Sequence, residues 1–277
     1  MTVDLHLHTH HSDGTWSPSD LVDYAQKMRL RHIAITDHDT VAGVEEAQRR
    51  AGDELEVIPG VEINTLWRDE SGQIKDIHIL GYFINITNRT LLELLERQRA
   101  ARKAHAVEYI RRIADSGVKI TLEMVEKYAG IGAIGKAHLA QAVIDAGAAA
   151  DATEAFEKFL TRGSEYYIER QSTTPQEAID AINRAGGVAS IAHPGKGDEI
   201  YSFILKLKRS GLRAVEAYHR IHSGNRVRQY VRFANRNGLL LTGGSDCHGP
   251  FREHKPTLGT ISVPAEVLDR LREAAQS

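Results

Sequence analysis

Nine side chains able to ligate a divalent metal, His6, His8, Asp13, His38, Glu62, His78, His193, Asp246 and His248, stand in five short blocks of the chain, and nearly every block closes an apolar, β-like run. Imidazole nitrogens and carboxylate oxygens together suit Zn, Mn or Fe. The spacing carries further information, because residues i and i+2 of a strand face the same way: His6 and His8 can reach one ion from one strand end, and Asp246 and His248 repeat the arrangement. Cys247, between the latter two, is expected to point the opposite way as a packed thiol. It is the only cysteine, which excludes an intrachain disulfide and a thiolate zinc cluster. A lone histidine would be an ordinary hydrogen-bonded residue, but nine donors in strand-end blocks point to a polynuclear metal hydrolase.

The elements that must position these donors follow from the hydrophobic pattern. Apolar runs at 3–8, 31–37, 55–63, 74–84, 188–193, 212–218 and 238–245 read as strands, several followed by helical patterns such as Ser19–Arg29, Pro175–Ala185 and Asn225–Asn237. Ser17-Pro18 and Thr174-Pro175 each place an oxygen-bearing residue before a proline, a common helix entry. Strand-then-helix order predicts parallel pairing and a closed or nearly closed α/β barrel with its site at the strand C-terminal ends. The 277 residues, 42% hydrophobic, suffice for one large core. The formal charge of −2 excludes a global basic surface for long duplex nucleic acid while leaving room for a local basic groove. With no signal-like N-terminus and no apolar stretch approaching membrane-spanning length, the expectation is a soluble, cytoplasmic protein without membrane association.

The predicted organisation is a barrel formed by 1–89 and 164–277 and an inserted helical subdomain, 90–163, covering the site. The insert holds none of the nine donors and shows helical spacing in Leu91, Leu92, Leu94 and Leu95 and in Ala106, Tyr109, Ile110 and Ile113. Within it, Gly130-Ile131-Gly132-Ala133-Ile134-Gly135-Lys136 satisfies both a dinucleotide-binding glycine pattern and the start of a phosphate-binding P-loop. Both readings require a preceding strand, whereas Leu122–Tyr128 looks helical, and Ala137 stands where a P-loop needs Ser or Thr. The segment is therefore expected to be a flexible, phosphate-facing loop.

The blocks Asp4-Leu5-His6-x-His8-Thr9-x-x-Ser12-Asp13-Gly14, Thr36-Asp37-His38-Asp39, Pro59-Gly60-Val61-Glu62, Ala192-His193-Pro194 and Gly244-Ser245-Asp246-x-His248 resemble the motifs of the PHP (polymerase and histidinol phosphatase) phosphoesterases along the whole chain. The resemblance implies an α/β fold, a distorted (βα)7 barrel, with two or three divalent ions and hydrolysis of phosphoric esters by metal-activated hydroxide. By motif position, His6, His8 and Asp246 would bind a first ion, Glu62 would bridge it to a second held by His78 and His193, and Asp13, His38 and His248 would take a third. The insert with Ile134-Gly135-Lys136-Ala137-His138 resembles the branch of 3′,5′-nucleoside bisphosphate phosphatases and 5′-to-3′ exoribonucleases acting on short RNA more than the histidinol-phosphate phosphatases.

An anionic substrate is expected on charge grounds as well. Three divalent ions would bring about six positive charges against the carboxylates of Asp13, Glu62 and Asp246, leaving about three for a phosphate dianion and a hydroxide to balance. Asp246 is expected in the catalytic set with His219, the best candidate for a general acid or phosphate contact because it follows the apolar run at 215–218. Arg102, Lys136, His138, Arg170, Lys196 and His219 are the candidates for gripping substrate, and Arg99 and His105 add positive charge to the insert. Asp4 and Asp37 flank donors and are expected to orient them. His10, His11, His32, His105, His222 and His254 are assigned mostly to solvent. The expected partner is a small phosphorylated substrate, a nucleotide or short oligonucleotide, with no obligate protein partner evident. A polymerase- or RNA-bound nuclease module would need an extended basic channel or attached domain, and a non-enzymatic metal-binding domain would have no need for clustered ions with open positions.

Overall fold

The computed structural model describes residues 3–69, 72–129, 134–169, 172–195, 197, 199–250 and 255–276. Seven strands, β1 (Val3–Leu7), β2 (His32–Ile35), β3 (Glu56–Arg68), β4 (Ile74–Tyr82), β5 (Val188–Ile191), β6 (Ala214–His219) and β7 (Leu240–Gly244), pair in chain order. The helices are α1 (Pro18–Lys27), α2 (Val44–Ala51), α3 (Arg89–Asp115), α4 (Leu122–Ala129), α5 (Lys136–Asp145), α6 (Ala152–Ala155), α7 (Pro175–Arg184), α8 (Glu199–Arg209), α9 (Gly224–Arg236) and α10 (Ala265–Ala275), with a π-helical turn at Phe156–Leu160. The sheet is a nearly closed barrel. At its seam Leu7 bridges Cys247 in parallel, and His8 N donates to Cys247 O at 3.0 Å.

Each predicted strand is present within a few residues of its expected bounds, and the seven-stranded α/β barrel stands. The expectation of uniformly parallel pairing is corrected: β3 pairs antiparallel with β4, and β4 antiparallel with β5. The cause is the link between β3 and β4, residues 69–73, far shorter than the dozen residues a parallel crossover needs. Because β4 runs backwards, its N-terminal half lies at the barrel end where the parallel strands finish. His78 reaches the other donors from mid-strand, paired in register with Asn64.

Local chemistry sets the helix starts. The Ser17 side chain accepts from Asp20 N ahead of Pro18, Thr174 and Glu177 form a capping box around Pro175, and Ser223 caps α9. One apolar layer packs the sheet on α7, α8 and α9 through Ile179, Ile182, Phe203, Ile204 and Tyr230, and a second packs it on α1 and α2 through Leu21, Val22, Val44 and Ala47. A third joins Val3, Leu5, Ile58, Leu80 and Tyr82 to Val267, Leu268 and Leu271 of α10. Close approach across the seam requires glycine at 244, where a Cβ would lie 2.4 Å from His6 N.

Two compact units emerge, residues 1–95 with 173–277, and residues 96–172. The second has its own core, in which Tyr109, Ile113, Val125, Leu139, Val143, Phe159 and Leu160 are buried together. Among the described residues no helix is long and apolar enough to cross a membrane.

Candidate metal centre

All nine sequence-selected donors fall in the first unit and converge. Their focus is Glu62, fully buried on β3, where a carboxylate has no place unless compensated. Its Oε1 lies 2.9 Å from His78 Nδ1 and 3.1 Å from His193 Nε2. Its Oε2 lies 3.1 Å from His6 Nε2, 3.2 Å from His8 Nε2 and 3.1 Å from His38 Nδ1. Asp246 Oδ1 stands 3.2 Å from His8 Nε2 and 3.5 Å from His6 Nε2. Asp13 joins His248 Nε2 at 3.2 Å and His38 Nε2 at 3.8 Å. The His8 ring lies between its neighbours, 4.2 Å from His248 and 4.5 Å from His38 centroid to centroid.

The donor set fits metal better than it fits hydrogen bonding. A carboxylate oxygen offers about two lone-pair sites, yet three imidazole nitrogens crowd Glu62 Oε2. His8 is fully buried, and although Nε2 is within 3.2 Å of two carboxylates, neither ring nitrogen makes a hydrogen bond among the described residues. Ligands about 2.1 Å from a shared ion sit roughly 3.0–3.4 Å from one another, the spacing found here. Groups with metal-ligand proximity include His8, Asp13, His38 and His248; His6, His8 and Asp246; His6, Glu62 and His193; and His38, Glu62 and His78. Burial alone would raise the Glu62 pKa, but the surrounding imidazoles, His38, His6 and His78 foremost, hold it well below the usual carboxylate range. Burial likewise opposes the charged form of His8, and the carboxylates of Asp246 and Glu62 outweigh it, pushing its pKa up to about 10. Asp246 is held far below its ordinary value, against its burial, by His6, His219 and His8.

Two residues outside the sequence-based set complete the surroundings. Glu216 of β6 is fully buried, and its two oxygens lie 2.9 Å from His6 Nδ1 and 2.6 Å from the His193 backbone N–H. One carboxylate thus spans a donor from β1 and the segment after β5, the arrangement that fixes a ligating imidazole's tautomer. Asn64, two residues beyond Glu62 on the same face, places Nδ2 3.0 Å from His38 Nδ1. A lone carboxylate in the apolar run of β6 was the available signal for Glu216, and the i+2 spacing was the signal for Asn64. The two flanking aspartates bind backbone N–H groups and, for Asp37, nearby hydroxyls, not the donor side chains. Asp4 accepts from Ser245 N at 2.8 Å and Gly259 N at 2.9 Å, tying β1 to the end of β7. Asp37 accepts from Thr9 N, Thr9 Oγ1 and Ser12 Oγ at 2.6–2.7 Å, ordering the turn that carries Asp13. Left-handed backbone at Asp39, His193 and Asp246, φ 53°, 24° and 53°, concentrates strain beside the donors.

His219 closes β6 at the cluster's edge, buried, with Nε2 3.5 Å from Asp246 Oδ2. Its Nδ1 accepts the Ile221 N–H at 3.4 Å, an arrangement that favours the tautomer with the ring proton on Nε2. The other substrate-contact candidates with described positions lie in the second unit. Arg102 is in α3; Lys136 begins α5 with its ammonium 5.6 Å from the Tyr167 ring centroid; His138 Nδ1 accepts from Gly135 N at 3.2 Å in an N-terminal cap. Arg170 and Lys196 lie outside the described residues, as do His254 and the 130–133 part of the glycine-rich segment. That segment follows α4, a helix and not a strand. His105 and His222 are not solvent residues: His105 Nε2 lies 2.8 Å from Ile168 O, and buried His222 holds Nδ1 2.9 Å from Ala217 O.

The PHP domain matches residues 4–173 of this sequence, the stretch holding six of the nine donors. A curated 5′-3′ exoribonuclease Rnm from Escherichia coli (strain K12) is 35% identical over 254 residues, covering 89% of this chain and 85% of its own. The chain belongs to the PHP family of metal-dependent phosphoesterases. Another relative, a 3′,5′-nucleoside bisphosphate phosphatase from Chromobacterium violaceum, shares 30% identity over 254 residues, 90% of this chain and 87% of that protein. A PHP-like fold is also seen in the solved structure of a protein from Bifidobacterium adolescentis described as a metal-dependent phosphoesterase, with TM-score 0.83, 30% identity and coverage of 98% and 96% of the two chains.

Proposed function

We propose that this PHP protein hydrolyses phosphate monoesters of small nucleotides of the 3′,5′-bisphosphate type, with His6, His8, Asp13, His38, Glu62, His78, His193, Asp246 and His248 holding two or three Mn, Zn or Fe ions. The observation that carries the reading is the convergence of five imidazoles on buried Glu62, with Asp246 and Asp13 at its flanks. Bound divalent ions supply Lewis acidity, lowering the pKa of water and neutralising charge on a phosphoryl group. The protein's own part is to hold those ions and a dianionic substrate together. Glu216 reduces the net charge expected for three ions from about three to about two, which a phosphate monoester dianion balances. His219 Nε2, 3.5 Å from Asp246 Oδ2 and without a hydrogen-bond partner among the described residues, is placed to donate to a phosphoryl or leaving oxygen.

A 5′-3′ exonuclease acting on short oligonucleotides is the second reading, favoured by the relatives named exoribonuclease at 35% and 34% identity. The readings share chemistry, since a 3′,5′-bisphosphate is the 5′ end of a phosphorylated RNA chain cut after its first 3′ phosphate. The test is parallel assay of Mn²⁺-loaded protein on adenosine 3′,5′-bisphosphate, 5′-phosphorylated oligonucleotides and histidinol phosphate, with Asp246→Asn as the blank. Turnover of either nucleotide substrate supports the proposal, and their ratio separates phosphatase from exonuclease. Turnover of histidinol phosphate alone, or of nothing, refutes it.

A further inference from the structure

Away from the metal centre, a pronounced charge asymmetry lies on α8, α9 and the strand between them. From Lys206 to Arg236 the sequence carries nine Lys and Arg residues and a single acidic one, Glu216, in a chain of net charge −2. Glu216 is buried at the metal centre, so it neutralises nothing on this surface. Arg228, Arg232 and Arg236 are exposed and form no ion pair among the described residues. Arg226, Arg232 and Arg236 line an open cavity of about 420 Å³ together with Tyr201, Gln229, Phe233 and Asn237, and no carboxylate borders it.

The cavity is also aromatic. Tyr201 and Phe233 lie 4.8 Å apart, both partly exposed, and Arg226 Nη1 donates to Tyr201 Oη at 3.3 Å. Buried rings pack between the metal centre and the cavity wall, His219 to His222 at 5.9 Å, His222 to Tyr230 at 5.1 Å and Tyr230 to Tyr201 at 5.6 Å, so a strand passing from one to the other must follow the surface. The basic track begins at the centre's edge, where Arg220 Nη2 lies 3.9 Å from Asp246 Oδ2.

Unneutralised guanidinium groups that grip phosphates, rings on which bases stack, and amides that accept and donate together make a surface suited to single-stranded nucleic acid. An acidic protein would satisfy the arginines but make no use of the partly exposed faces of Tyr201 and Phe233. We propose that the α8–α9 face is an accessory binding site for the downstream nucleotides of a single-stranded oligonucleotide whose 5′ end occupies the metal centre. The inference rests on the oligonucleotide reading of the same centre. The 13-residue α9 is about 20 Å long, room for on the order of six nucleotides at the ~3.4 Å rise of a stacked strand.

The test compares wild type with the exposed-site triple variant Arg228→Gln, Arg232→Gln, Arg236→Gln, since glutamine keeps helix propensity. Fluorescence anisotropy of Mn²⁺-loaded protein with fluorescein-labelled, 5′-phosphorylated oligouridylates of two and eight nucleotides, phosphorothioate-linked to slow cleavage, gives affinity at two salt concentrations. Losing three phosphate contacts should flatten the log–log salt slope by about two, so the wild-type eight-mer affinity falls about 15- to 20-fold more than the variant's between 50 and 200 mM salt. The two-mer should not distinguish the proteins, and hydrolysis of adenosine 3′,5′-bisphosphate should be equal in both. An eight-mer bound with the same affinity and slope by both overturns the accessory site. Arginine-dependent eight-mer binding without hydrolysis of any nucleotide would keep the accessory site and discard the proposed reaction.

Discussion

Glu216→Gln is the sharpest test of how the metal centre is organised. In the wild type the buried carboxylate faces two donors, His6 Nδ1 at 2.9 Å and the His193 N–H at 2.6 Å. With its proton on Nδ1, His6 turns Nε2 toward Glu62 and Asp246 as a lone pair ready for a metal. Glutamine has nearly the same shape but presents one oxygen and one NH₂, so one of the two donors must meet another donor. Loss of one hydrogen bond to a charged group costs about 1.5–3 kcal/mol. Removing such an outer partner typically weakens metal affinity about 10- to 100-fold, or roughly 1.4–2.7 kcal/mol, so the two routes agree. Chelator competition with Zn²⁺ or Mn²⁺ should show that weakening for the ion His6 holds, and the His6 Nδ1–H NMR resonance should shift or vanish. Stability carries a second signature. His6 holds the Glu216 pKa below its ordinary value despite burial, so the carboxylate contributes stability present above about pH 4.5 and lost as pH falls through the folded-state value. The metal-free variant should therefore lose less stability between pH 5 and 3 than wild type. Wild-type metal affinity together with an unchanged acid limb would refute this account of Glu216.

Metal loading should release protons. With the His8 pKa raised to about 10 in the metal-free chain, its contribution to stability is present in full below about pH 6.5 and lost as pH rises through 10, while its proton must leave before the ring can ligate. Affinity should then climb about tenfold per pH unit for each displaced proton across neutral pH, and calorimetry in two buffers of different ionisation enthalpy should count at least one proton per chain; none would contradict the assignment. His219→Asn should cut kcat about 10²- to 10⁴-fold at saturating metal with metal stoichiometry unchanged, and a loss confined to metal binding would make His219 a ligand instead.

The barrel and its donors were legible for one reason: alternation along a strand is a period-two signal, and His6 with His8, or Asp246 with His248, announces a shared face directly. Direction is not written in that period. His78 sits in an apolar run that reads identically forwards and backwards, and only the five-residue gap from Arg68 to Ile74 discloses that β4 turns back. Glu216 was missed because a single carboxylate in a strand says nothing of what lies opposite, and its partner His6 is 210 residues away. The arginine track on α9 was hidden by an average, since the chain's net charge conceals a strongly basic segment.

The barrel seam also orders events in time. His6 and His8 leave a ribosome some 240 residues ahead of Asp246, Ser245 and Gly259, which close β1 onto the rest. At roughly 5–20 residues per second, the opening strand waits about 10–50 s for the carboxylate that shares its ion and the backbone that covers its edge. A chain interrupted before its last strand would hold most of the imidazoles of a metal centre and none of its closure, so tight metal retention would report that synthesis had passed β7.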